Sequence, residues 1–152
     1  MSKLLFMFLA AMWFSAGPVW AQVFKEGTIT ASASDCTAAG GARVTLELPP
    51  NAGSATITLS GTWAGTVQFS TTADGNNYTS LNGDPFPSGT AVSSSTANGR
   101  WAFNVSALSQ ICVRASAYTS GTINVGIRYS VAAAKSRGGS STTGGIDNVR
   151  DC

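Results

Sequence analysis

The side chains of this 152-residue chain best suited to holding another molecule are its aromatics and a set of arginines. Trp and Tyr rings stack on the faces of sugars and hydrogen-bond through their polar edges. Trp101 is in phase with Phe103 and Val105, which assigns it to the core. Trp63 lies beside a turn, and Tyr118 falls in the outward phase of its strand, so both are candidate ligand-binding residues. Arg43, Arg100, Arg114 and Arg128 share an outward strand phase. If Arg114 and Arg128 share a sheet, they lie near each other on its outer surface. A solvated face that discourages edge pairing accounts for such residues; the sharper reading is a patch for an acidic glycan or a partner surface. Trp63, Tyr118, Arg114 and Arg128 therefore form the candidate binding set.

Other chemistries find little support. Histidine is absent, which removes the commonest general base and metal ligand and forbids a Ser-His-Asp or Cys-His arrangement. The seven acids are Glu26, Asp35, Glu47, Asp74, Asp84, Asp147 and Asp151, and none forms a patterned pair. Paired-carboxylate hydrolysis needs two such groups about 5–10 Å apart. Asp74, Asn76, Asn77, Asn82 and Asp84 offer oxygen ligands for calcium. They are also the residues a turn requires, and the turn is the reading taken. No zinc spacing occurs, nor a phosphate-cradling glycine loop ahead of a helix. The expectation is a non-enzymatic protein with no metal and no cofactor.

The first residues read as an export signal. Lys3 precedes an apolar run, Leu4 to Phe14, and Val19-Trp20-Ala21 places small residues at the −3 and −1 positions of a cleavage site before Gln22. That run is too short to span a bilayer. The expected organisation is a signal peptide at 1–21, one domain at 22–134, and a Gly/Ser-rich tail at 135–152. A secreted or periplasmic location follows. No membrane insertion is expected after cleavage. The net charge of +2 gives no electrostatic case for nucleic acid.

In an exported protein, Cys36, Cys112 and Cys152 imply one disulfide and one thiol left over. Cys36–Cys112 would tie an early strand to a late one, whereas pairing either with Cys152 would pin the tail. The terminal position makes Cys152 the natural odd one out.

These residues have to be positioned by strands. Leu59 to Leu81 reads as strand, turn, strand, turn, strand, with Asp74-Gly75-Asn76-Asn77 supplying a tight reversal. Val44, Leu46 and Leu48 alternate with Arg43, Thr45 and Glu47, the period-2 pattern of a strand buried on one face. Ala55, Ile57 and Leu59 continue the buried set, followed by Val67 and Phe69. Trp101, Phe103 and Val105 do the same, as do Ile111 to Ala117 and Ile123 to Val131 at odd positions. Asn82 to Gly89 reads as loop, and Thr90 to Thr96 as a weak strand. A three-residue loop at Thr119-Ser120-Gly121 would pair the last two strands, setting Tyr118 opposite Thr122, Val113 opposite Ile127, and Cys112, facing outward, opposite Arg128. About eight short strands spaced by turn signals predict an all-β fold, an antiparallel two-sheet β-sandwich of Ig-like or jelly-roll type.

The runs GTWAGTVQFSTTADGNNYTSLNG and NGRWAFNVSALSQICVRASAYTSGTINVGIRYS resemble small β-sandwich modules of tailed-phage structural and tail-fibre proteins and of some secreted bacterial proteins. The resemblance covers about Ala52 to Val131, and its motifs are turn and core residues. It implies a structural or adhesive role, displayed on a virion or cell surface, with no catalytic residues to carry over. The leader and three cysteines depart from it, since virion components assembled in the cytoplasm need neither. Expected partners are other protein subunits, further copies of the chain included, or surface glycans bound by exposed aromatics and outward arginines.

Overall fold

The computed structural model describes residues 24–37 and 41–131. The expected signal peptide, the tail and Cys152 lie outside the described residues. Every regular element among the described residues is a strand. The long ones are β1 (Phe24–Ile29), β2 (Arg43–Glu47), β3 (Ser54–Ser60) and β4 (Trp63–Thr72). Three two-residue strands follow: β5 (Thr79–Ser80), β6 (Asp84–Pro85) and β7 (Ser94–Ser95). The chain then forms β8 (Gly99–Asn104), β9 (Gln110–Gly121) and β10 (Ile123–Ser130). The count is ten rather than about eight, because a short β6 sits inside the stretch read as loop.

All pairings are antiparallel, in two five-stranded sheets. Sheet A has the order β1-β10-β3-β8-β6; sheet B has β2-β9-β4-β5, with β7 also on β4. Alternation places Val44, Leu46, Ala55, Ile57, Leu59, Val67, Phe69, Trp101, Phe103, Ile111, Val113, Ile123, Val125 and Ile127 in a single core between the sheets. Phe69 of sheet B meets Trp101 and Phe103 of sheet A at ring-centroid distances of 5.1 and 5.2 Å. Such tilted and edge-on contacts suit the aromatic quadrupole.

The expected β9–β10 hairpin does not form. β9 lies in sheet B between β2 and β4, while β10 lies in sheet A between β1 and β3. Val113 faces Val44 and Phe69, Cys112 faces Thr45 and Ser70, and Ile127 faces Lys25 and Ile57. The physical reason lies in two sheet-switching bends that stack on each other. Ser54–Ser60 pairs with Asn124–Ser130, and the same register carries past the bend into Trp63↔Gly121 and Ala64↔Ser120. β3 and β4 thus form one arm of a long antiparallel ribbon, and β9 and β10 form the other. The ribbon folds over so that one half lies in each sheet, a corner made where strands switch layers.

Two glycines make that corner. Gly61 has φ +113° and Gly121 φ +98°, conformations that side chains oppose. A Cβ on Gly61 would lie 2.3 Å from the Thr122 carbonyl oxygen, and one on Gly121 would lie 2.1 Å from that of Thr62. The Thr122 N–H donates to that Thr62 oxygen at 2.9 Å and closes the bend. Gly61-Thr62, read as a reversal between strands, is therefore a bend within one arm.

Register shifts between Ala64 and Gly65 and between Thr66 and Val67 leave Thr119 and Ser116 of β9 without opposite residues. These bulges turn the alternation over. Ala117, expected inward, is exposed, and Tyr118, expected outward, packs half-buried against the core. Val131, expected to close the buried face of β10, is 58% exposed.

Candidate functional site

The structure brings two of the four candidate binding residues, Trp63 and Tyr118, to one corner and places Arg114 and Arg128 in different sheets. Trp63 opens β4 at the corner, half-buried against the core, and its Nε1–H donates to Asn98 Oδ1 at 2.7 Å. Asn98 Nδ2 in turn donates to the Gly61 carbonyl at 2.8 Å. Tyr118 sits on the other arm of the same corner, its hydroxyl donating to the Gly121 carbonyl at 2.5 Å. Both aromatic edges are thus engaged in holding the bend.

Arg114 and Arg128 lie in different sheets, which corrects the expectation of a shared patch. Arg114 stands on the outer side of sheet B. Its Nη1 donates to the Ala33 carbonyl at 2.7 Å and its Nη2 to Gln68 Oε1. The Ala33 N–H donates to the Ala115 carbonyl at 2.9 Å, and a disulfide joins Cys36 to Cys112 nearby. The segment after β1 is thereby strapped across the outside of sheet B. This strap explains why Cys112, expected to face outward, is wholly buried although its neighbours Ile111 and Val113 point the other way.

The rest of that face is also occupied. The Tyr78 hydroxyl donates to Gln110 Oε1, and Gln110 Nε2 donates to Glu47. Burial pushes the Tyr78 phenol up, with nearby Arg43 pulling the other way. At the neighbouring turn, Asp74 accepts from the backbone N–H groups of Asn77 and Asn76 at 2.8 and 2.9 Å, and from Thr72 Oγ1 at 2.7 Å. The backbone donors of Asn77 and Asn76, then the Asn77 and Thr72 side chains, hold its carboxyl well below the usual carboxylate range. Of the residues considered for calcium, Asp74 has its oxygens engaged in the turn, whereas Asp84 lies apart in β6 of sheet A.

The outer side of sheet A is different. A concave groove of about 880 Å3 crosses β1, β10, β3 and β8. Strand registers lay out its floor in rows. One row runs Phe24, Arg128, Thr56, Ala102; the next runs Glu26, Gly126, Thr58, Arg100. A third brings Thr28, Asn124 and Ser60 alongside. Short side chains make the middle of the floor, and longer ones rise around it. From β1 to β8 is three strand spacings, about 14 Å.

Phe24 and Phe86 are the exposed large aromatics at opposite sides of the groove, 45% and 48% exposed. Phe86 follows β6, its N–H donating to the Arg100 carbonyl at 2.9 Å. The Phe24 ring leans over Gly126, where a Cβ would come within 3.3 Å of it. The Arg128 guanidinium sits 5.0 Å from the centroid of the Phe24 ring, a cation–π arrangement that orients the charge. Among the described residues neither Arg100 nor Arg128 makes an ion pair. Of the candidate binding set, then, only Arg128 reaches the groove.

Phe24 and Phe86 were not singled out from sequence. Phe24 did carry a signal, since it shares a phase with Glu26 and Thr28, opposite to buried Ile29. Phe86, between two prolines in an irregular stretch, carried none.

These features define a two-layer all-β module with one strapped face and one open, grooved face. No protein-family model matches the chain, and no curated protein matches its sequence. Solved structures that share the fold include the SPBc2 prophage-derived protein YomS, with TM-score 0.52 and 17% identity over 71% of this chain and 96% of YomS. They also include the PBSX exported protein XepA, with TM-score 0.53 and 19% identity over 86% of this chain. The match takes in 47% of XepA, so the chain spans about half the length of that protein. The fold resembles those of YomS and XepA.

Proposed function

We propose that the chain is an exported, non-enzymatic interaction module, displayed on a virion or cell surface, that holds its partner on the outer face of sheet A. The observation that carries this reading is the contrast between the faces. Sheet B is covered by a disulfide-anchored strap and the Tyr78–Gln110–Glu47 chain. Sheet A presents an open groove rimmed by exposed aromatics and arginines. Exposed aromatic side chains around a concave, mostly pre-formed site are the usual anatomy of binding. The absence of histidine leaves the chain better equipped to hold a partner than to transform it. The prophage origin given in the name of YomS, and the word exported in that of XepA, support the surface setting.

The test is association of the purified, labelled protein with cells of the producing strain and with the particles they release. Thr58→Trp, which fills the groove floor from an outward position, is expected to abolish association. Arg43→Ala, on sheet B, is expected to leave it intact. Association that survives Thr58→Trp, or none by the wild type, overturns the reading.

A further inference from the structure

We infer that the sheet A groove is an oligosaccharide-binding site selective for sugars that carry an anionic group. This rests on the reading of that face as the binding surface and adds the chemistry of what is bound. The floor is built from hydroxyl and amide groups, Thr56, Thr58, Ser60 and Asn124, around the hollow at Gly126. Such groups pair with sugar hydroxyls. The aromatic ring of Phe86 offers the electron-rich face that attracts the polarised C–H groups of a pyranose. A volume of about 880 Å3 lies within the range that encloses a small ligand and suits a short oligosaccharide.

Charge adds selectivity. Arg100 and Arg128 bring two guanidiniums to the groove against one carboxylate, Glu26. Glu26 is diagonal to Arg128 across the β1–β10 pair, yet the guanidinium lies on the Phe24 ring. Its donors are thereby held at the rim with a fork geometry that fits a carboxylate or phosphate. A bound peptide is disfavoured by the same floor. β10 and β3 are interior strands whose ladders are already paired on both sides, so the floor of the groove offers no free edge for strand addition.

The experiment is an array of defined oligosaccharides, uronic-acid, phosphorylated and neutral, probed with wild type, with Arg100→Ala/Arg128→Ala and with Gly126→Val. Both arginines are exposed, and the Gly126 site has only the end of the Phe24 ring to displace, so the variants are expected to fold. The expected result is binding confined to anionic members and weakened by salt. Loss of both charges should cost at least about tenfold, since hydrogen bonds to charged groups are the strong ones. Gly126→Val should also lose binding, by filling the hollow. The uronic-acid and phosphorylated arms distinguish which anion is read. Neutral sugars bound equally well, no bound sugar, a polyglutamate peptide bound as tightly, or unchanged binding by the double variant each overturn the inference. Surface association lost in Thr58→Trp alongside an array without binders would retire the ligand class while leaving the interaction module standing.

Discussion

Replacing Gly121 by Ala tests whether the ribbon corner is as tight as it looks. The added Cβ would stand 2.1 Å from the Thr62 carbonyl oxygen and 2.6 Å from the Trp63 Cα, both backbone atoms with no rotamer to escape into. Three costs add. A left-handed conformation costs a non-glycine residue roughly 1–2 kcal/mol. Pushing the arms apart threatens the Thr122–Thr62 hydrogen bond, worth about 1 kcal/mol. Overpacking a close backbone contact adds about 1–3 kcal/mol. The sum is about 3–6 kcal/mol, a large part of the stability of an ordinary domain. At about 4 °C per kcal/mol the melting temperature should fall by roughly 12–24 °C. Gly75→Ala is the control, because it shares a positive φ of +79° but has nothing within 4 Å of its Cβ; it should cost only about 1–2 kcal/mol. Urea titration of the three proteins gives the comparison. Gly61→Ala should behave like Gly121→Ala, and the double variant should cost less than the sum, since both open the same corner. A Gly121→Ala protein no less stable than Gly75→Ala would refute the stacked-bend account.

Further consequences follow from the same geometry. Reducing Cys36–Cys112, which spans 76 residues, should lower stability by about 4 kcal/mol in the chain-entropy model, measured as a shift in urea midpoint with and without reductant. The Asp74 carboxyl is held below its ordinary value, so its contribution is present above the unfolded pKa and is lost as pH falls through the lower folded one. Asp74→Asn should therefore be less stable at neutral pH and show a flatter decline in acid, read from unfolding free energy between pH 5 and pH 2. Ala107 has φ +64°, and Ala107→Gly should raise stability by up to about 1 kcal/mol in the same titration. Trp63→Ala should destabilise the corner while leaving ligand affinity per folded molecule unchanged, because Trp63 does not line the groove.

The strands whose inner residues were clear in the sequence are those where burial alone sets the pattern, such as Val44-Leu46-Leu48 and Ala55-Ile57-Leu59. The layer change was not legible at Gly121. A glycine with positive φ serves a tight hairpin and a bend between sheets equally well, and only the partner glycine at 61, sixty residues earlier, distinguishes them. Tyr118 was misassigned for a related reason, since bulges shift phase without leaving a mark in the alternation. The site was harder still. Arg128 was visible as an outward charge, but its grouping with Phe24, Arg100 and Phe86 depends on β1 pairing with β10 and on the chain after β6 reaching β8. Those are long-range pairings that local periodicity does not encode.

The most direct test of the central claim is a map of backbone amide shifts as the surface-derived ligand, or an anionic oligosaccharide from the array, is titrated into the protein. Shifts should centre on Thr58, Asn124, Gly126 and Arg128, with Thr45, Gln68 and Arg114 on the strapped face unmoved. Shifts centred instead on sheet B, or spread evenly over both faces, would contradict it.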